Sequence, residues 1–151
     1  RRYGYGTSAF GEGWALYSEQ LALEAGLATD PYDEIGILQS ELFRAVRLVV
    51  DTGIHYKKWT REEAMNYMKE KTGMSDTEVR SEIERYIVWP AQALSYKVGM
   101  LKVLELRQLA MDALGNDFDY KEFHSILLDN GEPPLFILEK LVKNWIALKQ
   151  S

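Results

Sequence analysis

The sequence predicts an all-α fold of about seven helices, and three observations support this prediction. Apolar residues recur at helical spacing along most of the chain, whereas the alternation of apolar and polar residues that is typical of strands is almost absent. Two capping boxes mark helix starts in the middle of the chain. The 151 residues include only four prolines, and these fall where helices would begin or end.

The N-terminal part of the chain is predicted to form two helices. The first covers about residues 9–25, with Thr7 or Ser8 as its N-cap and Gly26 as its stop signal. The second covers about residues 31–56 and has a proline at its first position, where a helix needs no backbone N–H.

The two capping boxes position the third and fourth helices. The segments 60–63 (Thr-Arg-Glu-Glu) and 75–78 (Ser-Asp-Thr-Glu) open these helices, and the third ends near Gly73. The fourth stops before Trp89-Pro90, because the residue before a proline disfavours helical geometry. Each cap contributes about 1 kcal/mol to helix stability.

Three further helices are predicted in the C-terminal half. The fifth covers about residues 90–114 and ends at Gly115, and the sixth covers about residues 120–129. The last begins at Pro133-Pro134, and its apolar face is expected to contain Ile137, Leu138, Leu141, Trp145 and Leu148.

The composition predicts one domain with a hydrophobic core. Hydrophobic residues make up 46% of the chain and charged residues 27%, which disfavours disorder. A net charge of −5 argues against a nucleic-acid partner, and no apolar run approaches the roughly 20 residues that span a bilayer. The absence of cysteine excludes disulfides and thiolate metal sites and leaves the compartment open. The chain starts without methionine or signal peptide, so we expect a processed product or part of a longer protein.

The first helix carries the most informative acid, Glu12, which lies between two glycines at the start of an apolar segment. A carboxylate in apolar surroundings is costly unless a cation, a hydrogen-bond network or a metal pairs with it. Glu19 lies seven residues later on the same helix face, about 10 Å away along the axis, so the two acids cannot easily bind one metal ion. One could be a ligand while the other orients a neighbour; alternatively, both are solvated.

The second helix carries a mixed-charge stripe of Glu41, Arg44, Arg47, Asp51 and His55 on an otherwise apolar segment. The stripe could be a buried ion network that supports a site, or an exposed face of salt bridges that contributes little energy. His55 could act as an acid–base group, donate to an oxyanion, or be a hydrogen-bonded core histidine.

The junction of the fourth and fifth helices adds Arg85, Tyr86, Gln92 and Tyr96 within a mostly apolar segment. Tyrosine hydroxyls and arginine can stabilise an oxyanion or hold a substrate carboxylate. Alternatively, the aromatic rings belong to the core and Arg85 pairs with a nearby acid. The other histidine of the chain, His124, is expected at the surface, although an internal metal site of Glu12, His55 and His124 is a further alternative.

Residues 8–19, 41–55 and 84–107 together resemble the bacterial family known as domain of unknown function 885, whose members look like zinc-dependent peptidases. Residues 118–127 and 133–146 also fit. In that family an upstream His-Glu-x-x-(Pro-Gly)-His motif would supply two zinc-binding histidines and a glutamate general base. This motif is absent here. The resemblance therefore implies that the chain is the C-terminal helical part of a larger zincin-like peptidase domain.

The resemblance also implies site residues. Glu12, in Glu-Gly-Trp-Ala-Leu-Tyr, is similar to the glutamate that supplies the third zinc ligand in zinc aminopeptidases, and Glu19 would support the ligands from behind. Residue chemistry suggests His55 and Tyr96 as hydrogen-bond donors to the transition state and Arg85 as the group that binds a substrate carboxylate.

The resemblance also sets expectations for zinc, partners and location. Zn²⁺ is expected in the full-length parent, while the fragment alone should bind zinc weakly and lack peptidase activity. The expected partners are a peptide substrate and the missing N-terminal part, and loss of that part favours self-association of the fragment. Relatives are often exported or lipid-anchored. The alternative function is a stand-alone helical protein-interaction module without chemistry.

Overall fold

The structure of the protein is a computed structural model that describes residues 8–151. This part of the chain contains seven α-helices and no strand, which confirms the predicted all-α class and the number of helices. Short 3₁₀ turns lie before and after the fifth α-helix. The helices are α1 (Ser8–Glu24), α2 (Pro31–His55), α3 (Arg61–Thr72), α4 (Asp76–Val88), α5 (Ser95–Leu114), α6 (Tyr120–Leu128) and α7 (Leu135–Lys149).

Most helix ends follow the local chemistry of the sequence. Both predicted capping boxes are present, at Thr60 before α3 and at Ser75 before α4. The α2 helix begins where the Asp30 carboxylate accepts a hydrogen bond from the backbone of Tyr32. Gly26 follows α1 with a φ of +69°, a left-handed conformation that glycine adopts without strain. The predicted Thr7 cap lies outside the described residues, and Ser8 is the first helical residue described.

The fifth helix begins later than the sequence predicts, at Ser95 instead of Pro90. Ala91 adopts a left-handed conformation with a φ of 68°, which interrupts the helix. Its N–H donates to both carboxylate oxygens of Asp51, at 3.1 and 3.3 Å. A tertiary hydrogen bond to α2 therefore fixes this turn, and no local pattern around Pro90 could have predicted it.

The apolar face of α7 also differs in part from the prediction. Leu138 and Trp145 are buried as expected, but Leu148 is 76% exposed. Ten residues separate Leu148 from Leu138, which turns it about 80° around the helix axis and away from the core. Val142 and Ile146 complete the buried face.

The hydrophobic interior consists of two clusters. One cluster joins α1, α5, α6 and α7 around Tyr17, Val103, Phe123 and Leu138. The other joins α2, α3 and α4 and includes Val50, Met68 and Ile83. Because α2 also contacts α1 and α5, it forms the seam between the two clusters.

The most extensive helix contact, between α1 and α5, depends on two glycines. A Cβ atom on Gly99 would lie 1.8 Å from the carbonyl oxygen of Ala9, and one on Gly13 would lie 2.4 Å from the Cα of Gly99. The two backbones therefore touch, and only glycine permits this approach. Ser8 and Ser95 add a hydroxyl hydrogen bond of 2.7 Å between the starts of the two helices.

Candidate functional site

The seam between the two clusters carries a polar site centred on Tyr96. The Tyr96 hydroxyl interacts with the Glu12 carboxylate, and its ring lies 4.7 Å from the guanidinium carbon of Arg47 and 5.6 Å from that of Arg44. Burial and the neighbouring Glu12 raise the pKa of the Tyr96 phenol, so the hydroxyl keeps its proton beside the Glu12 carboxylate. Two of the residues that the sequence singled out, Glu12 and Tyr96, therefore lie side by side.

Arg47 is the most deeply buried cation of the site, with only 4% of its surface exposed. Its guanidinium packs against three aromatic rings, Phe43 at 5.2 Å, Tyr86 at 5.5 Å and Tyr96 at 4.7 Å. It makes no hydrogen bond or ion pair with any residue of the described chain, and its Nε is completely buried without a partner. The spacing of Arg47 on α2 predicts its place in a charged stripe but not the lack of an acid partner.

Arg44 links Tyr96 to Glu19. Its Nη1 donates to the carbonyl oxygen and the hydroxyl of Ser40, at 3.2 and 2.7 Å, and the Ser40 hydroxyl donates to Glu19 at 2.9 Å. Glu19 therefore connects α1 to α2 through Ser40. The Nε of Arg44 is also buried without a partner.

The rest of the charged stripe on α2 joins neighbouring helices, so the stripe is an internal network and not a solvated face. Glu41 forms an ion pair with Lys97 of α5, which is itself buried. Asp51 is 2% exposed and receives the backbone N–H of Ala91. Burial raises the pKa of Asp51, opposed by this hydrogen bond and by the charges of His55 and Arg47.

His55 lies at the contact of α2 with α4. Its Nε2 lies 2.9 Å from the carbonyl oxygen of Tyr86, and because a carbonyl only accepts, Nε2 carries the proton. Within the described chain, no hydrogen bond joins His55 to Glu12 or Tyr96. The geometry corresponds to the hydrogen-bonded core histidine that sequence analysis left as one of three alternatives.

Arg85 makes hydrogen bonds within α4 and to the turn that follows it. It donates to Glu82 at 2.7 Å and to the side-chain oxygen of Gln92 at 2.8 Å, and its guanidinium lies 4.9 Å from the Tyr86 ring. The Tyr86 hydroxyl donates to the same Glu82 carboxylate at 2.5 Å, and burial raises the pKa of this phenol strongly. The structure thus has Arg85 paired with an acid, while a role in substrate binding stays a prediction.

A second polar cluster joins α1, α5 and α6 away from Glu12. His124 lies with Nε2 2.9 Å from the Tyr17 hydroxyl, and its ring meets that of Trp14 edge-on at 5.4 Å. Arg107 forms two hydrogen bonds to Glu24, at 2.8 and 3.0 Å. His124 is half-buried, because four aromatic residues of α1 and α6 contact its ring, so it lies at the surface only in part.

The described residues could supply one ligand of a metal site but not a complete set. Among residues 8–151 no three histidine, aspartate or glutamate side chains come together in a way that could hold a metal ion. Glu12, His55 and His124 belong to three separate networks, so the internal three-ligand alternative is not formed. Glu12 alone offers a half-buried carboxylate at the end of a helix.

These observations define an all-α protein whose polar site lies at the seam of two packed halves. Residues 1–142 match the family described as bacterial protein of unknown function (DUF885), and the chain belongs to this family. No curated protein matches it. None of the helices in the described range is both long and apolar enough to cross a bilayer.

Two solved structures are similar to the chain. A "putative lipoprotein" from Colwellia psychrerythraea is 55% identical with a TM-score of 0.91, over 94% of this chain and 24% of that one. A "putative lipoprotein of unknown function" from Shewanella oneidensis is 28% identical with a TM-score of 0.87, over 92% of this chain and 26% of that one. The chain therefore spans about a quarter of the length of these relatives.

Proposed function

We propose that the chain is the C-terminal part of a zinc-dependent peptidase in which Glu12 supplies the third zinc ligand. The observation that carries this proposal is the position of the Glu12 carboxylate beside the Tyr96 phenol, next to the buried Arg47 and the half-buried Arg44. A carboxylate that is oriented by one donor and set among aromatic groups is typical of a metal ligand with its supporting hydrogen bond.

The chain provides one ligand, and the other two would come from the longer protein to which it belongs. When bound, zinc lowers the pKa of a water molecule and polarises a carbonyl group, which is the chemistry that peptide hydrolysis requires. Glu19 contributes indirectly, because its hydrogen bond from Ser40 holds α1 against α2 and thereby fixes Glu12.

The remaining residues would bind and orient the peptide. Tyr96 keeps its proton and can turn its hydroxyl from Glu12 towards the oxygen of a substrate carbonyl on which negative charge develops. His55 and Arg85 stay candidates for transition-state and carboxylate binding, respectively. Each would first have to exchange a hydrogen bond, His55 that to Tyr86 and Arg85 that to Gln92 or Glu82.

We also propose that the full-length protein is exported and lipid-anchored. Support comes from the two similar structures, each of which is described as a "putative lipoprotein". Fractionation of cells that produce the full-length protein tests the proposal: recovery in the cytosolic fraction, without an attached lipid, would contradict it.

The experiment for the catalytic proposal compares the full-length protein with its Glu12→Ala variant. We expect stoichiometric zinc and peptide cleavage in the former, and loss of both in the latter, because removal of one of three protein ligands opens the site. The matched control is Glu70→Ala, an exposed glutamate of α3 that pairs only with the adjacent Lys71.

Two results would contradict the proposal. Unchanged zinc affinity in Glu12→Ala would exclude Glu12 as a ligand. Absence of a His-Glu-x-x-His segment upstream in the same reading frame, together with a zinc-free full-length protein, would favour the stand-alone interaction module. For the chain of residues 1–151 by itself, we expect weak zinc binding and no peptidase activity, and micromolar or tighter stoichiometric uptake would overturn this.

A further inference from the structure

Arg47 presents a buried positive charge that forms no ion pair within the described chain, although the carboxylates of Asp51 and Glu82 interact with it over a longer distance. Its side chain is 4% exposed, yet no carboxylate lies within ion-pair distance, and its Nε has no hydrogen-bond partner. Burial of an unpaired charge is costly, and removal of water from N–H donors adds to the cost. The arrangement therefore needs a compensating anion when the site is in use.

The aromatic rings around Arg47 leave the N–H donors of its guanidinium available for hydrogen bonds. Phe43, Tyr86 and Tyr96 cover it at 4.7 to 5.5 Å and stabilise the cation through their rings. Ring contacts do not use the N–H bonds, which point outward in the guanidinium plane. Of the Arg47 nitrogens only Nε is completely buried. The small exposed fraction of the side chain therefore includes its two Nη groups, which have no hydrogen-bond partner within the described residues.

Arg44 adds a second guanidinium at the same place. It lies three residues before Arg47 on α2, which puts both on one helix face, and both lie over the ring of Tyr96. Its hydrogen bonds to Ser40 use Nη1 alone, and Nε has no partner. The pair therefore presents two cations that share two aromatic neighbours, Phe43 and Tyr96.

The acids around the pair each have another partner. On α2 itself, Glu41 is paired with Lys97, and Asp51 accepts the N–H of Ala91. From the neighbouring helices, Glu82 accepts from Arg85 and Tyr86, and Glu19 accepts from Ser40. Glu12 interacts with the Tyr96 hydroxyl. No carboxylate of the described chain forms an ion pair with Arg47, and Asp51 and Glu82 act on it only over a longer distance.

We propose that Arg44 and Arg47 form a carboxylate-binding site beside Glu12, which takes the C-terminal carboxylate of a peptide. The flat fork of N–H donors on arginine matches a carboxylate in two parallel hydrogen bonds. This inference rests on the proposed peptidase function and specifies its substrate as the free C-terminal end of a peptide. It assigns the substrate carboxylate to Arg44 and Arg47 in place of Arg85, which is paired with Glu82. The same chemistry could come from an acidic side chain in the rest of the longer protein, and the experiment separates the two sources.

The experiment uses the full-length protein and pairs of short peptides that differ only in a free or an amidated C-terminus. We expect cleavage of the free acid with a kcat/KM at least about tenfold higher, with most of the difference in KM, because hydrogen bonds to charged groups contribute to binding at this level. In Arg47→Met the preference disappears. Arg47→Lys, which keeps the charge without the fork, retains part of it.

Arg80→Gln is the matched control, because it removes one arginine from the exposed face of α4 and should leave the preference unchanged. Thermal unfolding of the variants accompanies the kinetics. Since no acid of residues 8–151 pairs with Arg47, we expect Arg47→Met to melt at or above the temperature of the unmodified protein. Equal cleavage of acid and amide by the unmodified protein overturns the inference and leaves the peptidase proposal intact.

If the full-length protein does not cleave peptides, the proposed function is wrong but the carboxylate site is still open to test. A binding measurement provides that test. Calorimetric titration with the same peptide pair should then show about tenfold tighter binding of the free acid, lost in Arg47→Met. Equal binding of acid and amide, combined with a marked drop in melting temperature for Arg47→Met, would assign the arginines to an internal acid and overturn the inference.

Discussion

Polar side chains in the seam differ sharply in the number of hydrogen bonds that offset their burial. Glu82 receives hydrogen bonds from both Arg85 and Tyr86, and Asp51 receives a backbone N–H from forty residues away. Arg47, which is nearly as buried as Asp51, receives no hydrogen bond within the described chain and contacts the faces of aromatic rings. Buried polar groups in folded proteins are normally satisfied, which is the reason for our proposal that Arg47 binds a further group.

The imidazole of His124 should make stability depend on pH. Burial and the charge of Arg107 lower its pKa below the ordinary 6.5, so the folded state resists a proton that the unfolded state accepts. Stability is therefore full above about pH 6.5 and falls as the pH drops towards the lowered value. Urea unfolding at several pH values should show a steeper loss of stability below pH 6.5 than in His124→Gln.

The same substitution has an effect at neutral pH. We expect His124→Gln to lower the free energy of unfolding by about 1 kcal/mol at pH 7.5, because the hydrogen bond to the Tyr17 hydroxyl is lost or weakened. Parallel pH profiles for the two proteins would show that His124 does not carry the dependence.

Sequence spacing could identify the site residues one by one but not their pairing. Arg47 stands four residues before Asp51, a spacing that favours an ion pair along the helix. In the structure Asp51 binds Ala91 instead, and Glu41 binds Lys97. These partners come from 40 and 56 residues away, so the unpaired state of Arg47 follows from tertiary structure alone.

At the scale of helices, boundaries that depend on local capping were predictable and those that depend on distant contacts were not. Thr60 and Ser75 start α3 and α4 as the sequence indicates, because each cap bonds within four residues. The start of α5 is set by Asp51 and was predicted five residues too early. That shift matters for function, because it positions Tyr96 in the first turn of α5.

The crossing of α1 and α5 gives the clearest prediction for a helix pair. Gly99→Ala places a methyl group into the backbone of Ala9 and should lower the free energy of unfolding by about 1–3 kcal/mol or more. Gly36→Ala is the control: this glycine is exposed within α2 with open space around it, and alanine there should add up to about 1 kcal/mol. Denaturant unfolding of both variants measures the contrast. Equal stability of Gly99→Ala and the unmodified chain would mean that the two backbones do not touch.

At the scale of the molecule, α2 presents apolar side chains to solvent. Ile35, Leu38, Leu42 and Val49 follow helical spacing and are 39% to 50% exposed, and the last two line a shallow cavity of about 230 Å³ with Tyr67. An exposed apolar stripe of this kind is typical of an interaction surface. Because the similar structures are about four times longer, we expect the rest of the longer protein to cover it.

The chain of residues 1–151 alone should therefore self-associate through this stripe. Sedimentation velocity is expected to show association that increases with concentration and that Leu42→Glu weakens, because the charge opposes burial of the surface. Gln39→Glu, which adds the same charge at another exposed position of α2, should have little effect. A monodisperse monomer at all concentrations would contradict the prediction.

The sequence predicted the helices of the molecule but not how they divide into two halves. Periodicity reports which face of a helix is apolar, and it says nothing about which helix covers that face. The contact of α1 with α5 joins segments nearly ninety residues apart through Gly13 and Gly99, and α2 then lies against both. The site follows from this arrangement, which explains why its residues could be proposed singly but not assembled.

The wide separation of Glu12, Arg47 and Tyr96 along the chain has a consequence for inheritance. A gene segment that ends before α5 loses the phenol, and one that starts after α1 loses the carboxylate. No short stretch can therefore carry the site into another protein by recombination, and it can spread only with the helices from α1 to α5 together. Such a site is therefore expected to evolve by substitution of its residues within this fold, and not by transfer to another fold.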